Sequence, residues 1–168
     1  MSLDGCVANT IYTIGYEGFE AAGFVAHLQE HGIQTVFDIR DTPWSRKPGF
    51  TQEDLQENLR KAGIGYVHLP SLGVPKHVRD RFHHDKNWNW FSAAYRDAIR
   101  ARRVSHDLRA IAKQAQTTRC VLMCFEADHR VCHRSIVAQI LQDHLSLHPV
   151  HLLAPVVDDG QGTLPLFD

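Results

Sequence analysis

The sequence predicts a single three-layer α/β domain over residues 1–155, with a mostly parallel sheet and helices on both of its faces. Short apolar runs alternate along the chain with segments of helical periodicity, which is the pattern of strands joined by crossover helices. The 168 residues, of which 43% are hydrophobic and 22% charged, suffice for one domain with its own core. Residues 156–168, a glycine-containing polar run with an apolar end, are predicted to be a C-terminal tail.

The first half of the chain contains three predicted strands and two predicted helices. The strands are expected over residues 9–14, 35–39 and 66–69. Helical periodicity over residues 19–31 stops before Gly32, a residue typical of helix C-termini. The second helix is expected over residues 51–62, because Thr51 is a good N-cap and Gly63 follows its end.

The second half begins with a segment that has no clear period. Residues 70–89 are predicted to be largely irregular, with a short helix over 75–82, and a loop of this length usually has a binding function. Residues 90–114 are predicted to form one long helix. The remaining elements are a strand over residues 119–123, a helix over 132–144 and a strand over 148–152.

Polar and reactive side chains follow the predicted strands. In a parallel sheet, ligands bind outside the carboxyl ends of the strands, so we predict one polar site there. The candidate catalytic residues are Asp38, Cys124, Glu126, Cys132 and His133. The candidate ligand-binding residues are Tyr16, Arg40, Arg46, Tyr66, His68 and Arg134.

Cys132 lies at the predicted start of a helix, beside His133 and Arg134. The partial positive charge of a helix N-terminus stabilises a thiolate, so we expect a lowered pKa and a nucleophilic or redox thiol. Arg134 would bind an anion together with backbone N–H groups, and His133 would act as acid or base. The alternative is a small buried thiol flanked by two exposed side chains.

Two other interpretations of this segment remain open. Cys124 and Arg130 have the spacing of the anion loop of cysteine phosphatases and rhodaneses, but the intervening loop has no glycine and two acids. A zinc site formed by Cys124, His129, Cys132 and His133 is the second alternative, because zinc prefers thiolate and imidazole ligands. A second pair of ligands at a standard spacing is missing, so we predict no cofactor and keep zinc as the alternative.

A polar loop follows Asp38. Arg40, Arg46 and Lys47 beside Trp44 would bind an anionic or nucleotide-like ligand by charge and by stacking. The alternative is a solvated loop of salt bridges in which Asp38 caps backbone groups.

Composition and termini suggest where the protein works. A net charge of -1 predicts no general attraction to nucleic acid or membranes, and no apolar stretch approaches a membrane span. Because the first ten residues do not resemble a signal peptide and three of the four cysteines are clustered, we expect a cytoplasmic protein. Leu164, Leu166 and Phe167 suggest a contact with a sliding clamp, and hence an association with DNA repair.

Several short motifs together resemble a known bacterial family. They are Thr13-Ile14-Gly15-Tyr16, Asp38-Ile39-Arg40 with Pro43 and Ser45-Arg46, Tyr66 with His68-Leu69-Pro70, Leu72-Gly73, Cys124 with Glu126, and Cys132-His133-Arg134. The chain resembles the family called domain of unknown function 488 over nearly its whole length. The resemblance implies that these positions form one site, and it implies no reaction.

The function predicted from these residues is an enzyme that acts on an anionic or nucleotide-type ligand. A thiolate of Cys132 or Cys124 would react, with His133 or Glu126 handling protons. The alternatives are a non-catalytic module of nucleic-acid processing tethered by its tail, and a metal-stabilised regulatory protein.

Overall fold

The computed structural model describes residues 9–155, which are built around five parallel strands. The strands are β1 (Thr10–Gly15), β2 (Thr35–Asp38), β3 (Gly65–His68), β4 (Cys120–Cys124) and β5 (His148–Leu152). They lie in the order β3-β2-β4-β1-β5, and every neighbouring pair is parallel. The predicted α/β class is confirmed, with an entirely parallel sheet.

Helices cover both faces of the sheet. They are α1 (Ala21–Glu30), α2 (Gln52–Lys61), α3 (Lys76–Asp85), α4 (Trp88–Arg102), α5 (Ser105–Ala115) and α6 (His133–Leu145). Along β4, Val121 and Met123 pack with α1 and α2, whereas Cys120 and Leu122 pack with the other four helices. This alternation follows from the period of two in a strand, and it confirms the three layers.

The segment predicted as one long helix over residues 90–114 consists of two helices, so that prediction is wrong. Arg103 ends α4 with a left-handed backbone at φ 53°, and Val104 turns into the core before α5 begins. Neither residue is a glycine or proline, so the sequence contains no local signal for the break. Burial of Val104, which is 5% exposed, compensates for the unfavourable backbone at Arg103.

The segment 70–89 is mostly helical, contrary to the prediction of an irregular loop. It contains a 3₁₀ turn at Pro70–Leu72, and α3 extends beyond the helix expected over 75–82. The Arg102 guanidinium on α4 donates to the carbonyls of Ser71 and Gly73 at 3.1 and 2.8 Å. These contacts between distant residues stabilise a conformation that local patterns did not indicate.

The carboxyl ends of four strands meet at one edge of the sheet. The backbone N–H of Tyr16 donates to the carbonyl of Cys124, and that of Ile39 donates to the carbonyl of Met123. The chain therefore stays paired with β4 just beyond the ends of β1 and β2. At α2 the predicted cap is confirmed, because the Thr51 hydroxyl accepts from the N–H of Asp54 at 3.3 Å. Within residues 9–155, none of the helices combines the length and hydrophobicity required to span a membrane.

Candidate functional site

Two thiols, a carboxylate and an imidazole converge beyond the end of β4. Cys124 ends β4, and Cys132 is the N-cap of α6, whose first residue is His133. The Glu126 Oε2 atom lies 3.0 Å from the Cys124 Sγ and 3.1 Å from the Cys132 Sγ. The His133 Nδ1 lies 3.5 and 3.9 Å from the same two sulfurs. We call these four residues the Cys-Glu-His cluster.

Burial dominates the chemistry of the two thiols. Burial raises the pKa of Cys132 well above its ordinary value, and the neighbouring Cys124 and Glu126 add to this shift. Burial likewise raises the pKa of Cys124. The lowered pKa predicted for Cys132 is therefore wrong, because desolvation of a thiolate outweighs the partial positive charge of the α6 N-terminus.

The pKa values of the two other members of the cluster, Glu126 and His133, shift in opposite directions. Burial acts to raise the pKa of Glu126, but His133 and the two thiol hydrogen bonds outweigh it, so the pKa falls. Burial acts to lower the pKa of His133, but Cys132, Glu126 and the Ile39 carbonyl outweigh it, so the pKa rises. Without a bound cation, these interactions favour an ionised Glu126 beside protonated thiols.

The loop that carries Glu126 is held close to β1. Gly15 makes the approach possible, because a Cβ there would lie 1.7 Å from the Glu126 carbonyl oxygen. The Arg134 guanidinium donates to the carbonyls of Glu126 and Ala127. The Glu17 carboxylate accepts from the N–H of Ala127 at 2.8 Å. Arg134, predicted to bind a ligand, is thus 0% exposed and directs its donors at this loop.

A second polar network joins the ends of β1, β2 and β3. The Arg40 guanidinium binds both carboxylate oxygens of Asp38, at 2.7 to 3.2 Å. It also donates to the hydroxyl of Tyr16 at 3.1 Å and to the carbonyl of Phe50 at 2.8 Å. The Tyr66 hydroxyl donates to Asp38 at 2.7 Å. The structure thus brings predicted residues together, but it engages most of their polar atoms internally.

His68 belongs to the outer part of this network. Its Nε2 donates to the carbonyl of Arg40 at 2.8 Å. Burial and the Asp38 carboxylate raise the pKa of Tyr66 above its ordinary value. Asp38, Tyr66 and His68 do not line the neighbouring cavity, whereas Tyr16 and Arg40 do.

An open cavity of about 1010 Å³ lies directly over the Cys-Glu-His cluster. All four cluster residues line this cavity, and Glu126 is the one among them that is not buried. Exposed aromatic rings line the mouth, where Trp44 is 62% and Phe125 42% exposed. The cations that line the cavity are Arg40, Arg46, Lys47, Arg79 and Lys86.

Most charges around the cavity are already engaged. The acids Asp41 and Asp128 lie near Arg102 and Arg130, and Glu17 binds a backbone N–H. Among residues 9–155, Arg46, Arg79 and Lys86 form no ion pair. The cavity therefore presents free positive charge beside the cluster.

Two predictions about the surrounding segment need correction. His129 stacks on His151 with ring centroids 3.7 Å apart, so Glu126 takes the place that the zinc alternative gave to His129. Arg130 pairs with the exposed Asp128 at 2.9 Å, so it does not close an anion loop around Cys124. Leu164, Leu166 and Phe167 lie outside the described residues.

The segment 70–89 was predicted to have a binding function, but none of its residues that line the cavity was a named candidate. Arg79, Phe82, His83 and Lys86 line it, and all lie in the segment that was predicted to be largely irregular. The available signal was the density of basic and aromatic residues in that segment. It became informative only once the helix was oriented towards the cavity.

Comparison with protein families gives one match. The family described as domain of unknown function DUF488 matches residues 20–141, from the residue before α1 into α6. This range includes the Cys-Glu-His cluster and most of the cavity. No curated protein and no solved structure matches the chain.

Proposed function

This chain belongs to the DUF488 family, and we propose that it is an enzyme acting on an anionic, nucleotide-type ligand bound in the cavity over the Cys-Glu-His cluster. One observation carries the proposal. The Cys-Glu-His cluster lines a large cavity whose wall also carries two exposed aromatic rings and three cations that form no ion pair within residues 9–155. Such a combination of a concave site, convergent polar groups and perturbed titratable residues is typical of active sites.

The charge balance supports an anionic ligand. Arg46, Arg79 and Lys86 line the cavity without an acidic partner among the described residues, so an anion would gain hydrogen bonds that the protein does not already make. Arg40 also lines the cavity, but Asp38 neutralises it. We therefore assign Arg40 a positioning role and Arg46 and Arg79 the direct contact with the anion.

The exposed rings support a flat, nucleotide-type group on the ligand. Trp44 and Phe125 expose apolar surface to water. Covering this surface with an aromatic ring of the ligand would be favourable. Phe125 is held against Tyr16 in an edge-to-face contact with centroids 5.3 Å apart. The base would lie at the mouth and the anionic group near the cations.

Glu126 is the group that we assign to proton transfer. It is the most accessible member of the cluster, and its neighbours favour the ionised carboxylate. Cys124 and Cys132 are almost completely buried, so we assign them to support of the centre rather than to attack on the ligand.

Binding of the ribonucleoside 5′-monophosphates tests the ligand class. We expect each to bind more tightly than its nucleoside, with Arg46→Ala and Arg79→Ala combined weakening the nucleotide by about tenfold or more, since hydrogen bonds to charged groups contribute about 1.5–3 kcal/mol. Arg109→Ala is the matched control, because Arg109 is exposed on α5 and does not line the cavity. Equal binding of nucleotide and nucleoside, or equal loss in the control, would remove the proposed ligand class.

Turnover is tested separately by mass spectrometry of the same nucleotides after incubation with the protein. The proposal expects a nucleotide to be consumed by the wild type and left intact by Glu126→Gln. Binding with no consumption, or consumption that Glu126→Gln leaves unchanged, would remove the enzymatic part.

A further inference from the structure

The Cys-Glu-His cluster has the donor atoms of a metal centre. The sulfurs of Cys124 and Cys132, a carboxylate oxygen of Glu126 and the Nδ1 of His133 all lie within 4.8 Å of one another. Around a tetrahedral zinc ion with bonds of about 2.0–2.3 Å, such donors would lie about 3.3–3.8 Å apart. The sulfur–oxygen and sulfur–nitrogen distances of 3.0 to 3.9 Å in the structure approach these values.

The orientation of His133 suits a ligand. Its Nε2 lies 2.9 Å from the carbonyl oxygen of Ile39, and because a carbonyl only accepts, Nε2 carries the hydrogen. The Nδ1 atom, which faces both sulfurs, is then the position that takes a proton or a metal ion. Histidine ligands commonly donate their second N–H to a backbone carbonyl in this way.

We infer that Cys124, Cys132, His133 and Glu126 bind one thiolate-preferring divalent ion, zinc or iron(II). Two sulfur ligands and one imidazole select this class of ion over magnesium or calcium. This inference rests on the proposed function for its site, and it names the cofactor of that site.

The burial of the ligands distinguishes their roles. Cys124, Cys132 and His133 are 4%, 1% and 5% exposed, so they form a fixed set of three ligands. Glu126 lines the cavity beside them and is the one ligand that is partly accessible. Catalytic zinc sites keep three protein ligands and an exchangeable fourth position. Glu126 would take this fourth position, and it would be free for proton transfer once a ligand in the cavity replaced it. A ligand in the cavity would reach the metal from this side.

Metal content and cobalt binding of the full-length protein test the inference. Freshly purified wild type is expected to contain close to one zinc or iron ion per chain. After removal of the metal, Co²⁺ should produce thiolate-to-cobalt charge-transfer absorption. Cys124→Ser and Cys132→Ser should each reduce the Co²⁺ affinity by at least about 100-fold, more than loss of an outer partner typically causes.

Cys120→Ser is the matched control, because Cys120 is a fully buried thiol on the same strand whose partner is Thr118. It should retain the metal and the cobalt spectrum. A second measurement needs no variant and so does not depend on how well the variants fold. Chelation should lower the melting temperature of the wild type, and one equivalent of Zn²⁺ should restore it.

Three results would overturn the metal centre. They are a wild type that lacks both metals and gives no cobalt–thiolate absorption, a Cys132→Ser protein with unchanged affinity, and a metal-free protein with a Cys124–Cys132 disulfide. None of these readouts uses nucleotide binding. If the protein binds metal but no nucleotide, the metal centre stands and the proposed function is refuted. If it binds nucleotide but no metal, the proposed function stands and the metal centre is refuted.

Discussion

Replacing Asp38 with asparagine tests how strongly the buried ion pair at the end of β2 supports the fold. Asp38 is 0% exposed, and its partner Arg40 is 6% exposed. The guanidinium donates three hydrogen bonds to the carboxylate, and the backbone N–H of Arg40 and the Tyr66 hydroxyl donate one each. Asparagine has nearly the same shape and keeps one acceptor oxygen, so the substitution mainly removes the negative charge.

The expected cost follows from the uncompensated guanidinium. Breaking a buried pair by removing one partner costs about 3–5 kcal/mol, because the remaining charge stays away from water. For a chain of this size each kcal/mol lowers the melting temperature by about 2–4 °C, so Asp38→Asn should lower it by about 6–20 °C. The hydrogen bond from Arg40 to the Phe50 carbonyl would persist without compensating for the charge.

Urea unfolding, followed by circular dichroism, measures the difference. Asp128→Asn is the matched control, because Asp128 and Arg130 form the same two-residue arrangement on the surface. In both pairs the arginine donates its backbone N–H and its Nε to one carboxylate oxygen, at 2.9 to 3.1 Å. The control should unfold like the wild type, since exposed ion pairs contribute little. Equal stability of both variants would refute the argument that burial determines the strength of the pair.

Two further predictions concern the surroundings of the site. Burial and the Asp38 carboxylate raise the pKa of Tyr66 above its ordinary value of 10, so the native state retains the phenolic proton. Retention of this proton stabilises the native state fully below pH 10, and the stabilisation is lost as the pH rises through the folded pKa. Tyr66→Phe should therefore be less stable than the wild type by about 1–3 kcal/mol near neutral pH, and the difference should shrink above pH 10; a constant difference in urea unfolding would contradict this. Gly15→Ala should displace the loop that carries Glu126 and weaken Co²⁺ binding, because its methyl would overlap the Glu126 carbonyl oxygen. Gly23→Ala, whose Cβ meets no atom within 4 Å on α1, should bind Co²⁺ like the wild type and unfold no more easily.

The sequence was most informative where a structural feature depends on residues that are close along the chain. The parallel strands, the Thr51 cap of α2 and the start of α6 near Cys132 could all be predicted, with boundaries shifted by one or two residues. The same locality explains why Cys124, Glu126, Cys132 and His133 were all candidates. They lie within ten residues, between the end of a strand and the start of its following helix.

Other features depended on contacts between distant parts of the chain. The break between α4 and α5 has no sequence marker, because it depends on the place that the core offers Val104. The Arg134 guanidinium points at the carbonyls of the loop after β4 because that loop closely approaches Gly15. The choice of Glu126 over His129 as the fourth cluster residue depends on His129 stacking against β5.

The sequence by itself determined the α/β class, the strand edge where polar residues gather and the candidacy of all four residues of the Cys-Glu-His cluster. Only the tertiary structure decided which of those side chains face the cavity, which are used internally and that α3 contributes cations to its wall. The physical reason is that periodicity reports burial along one element, whereas the partner of a buried charge or thiol is supplied by another element packed against it.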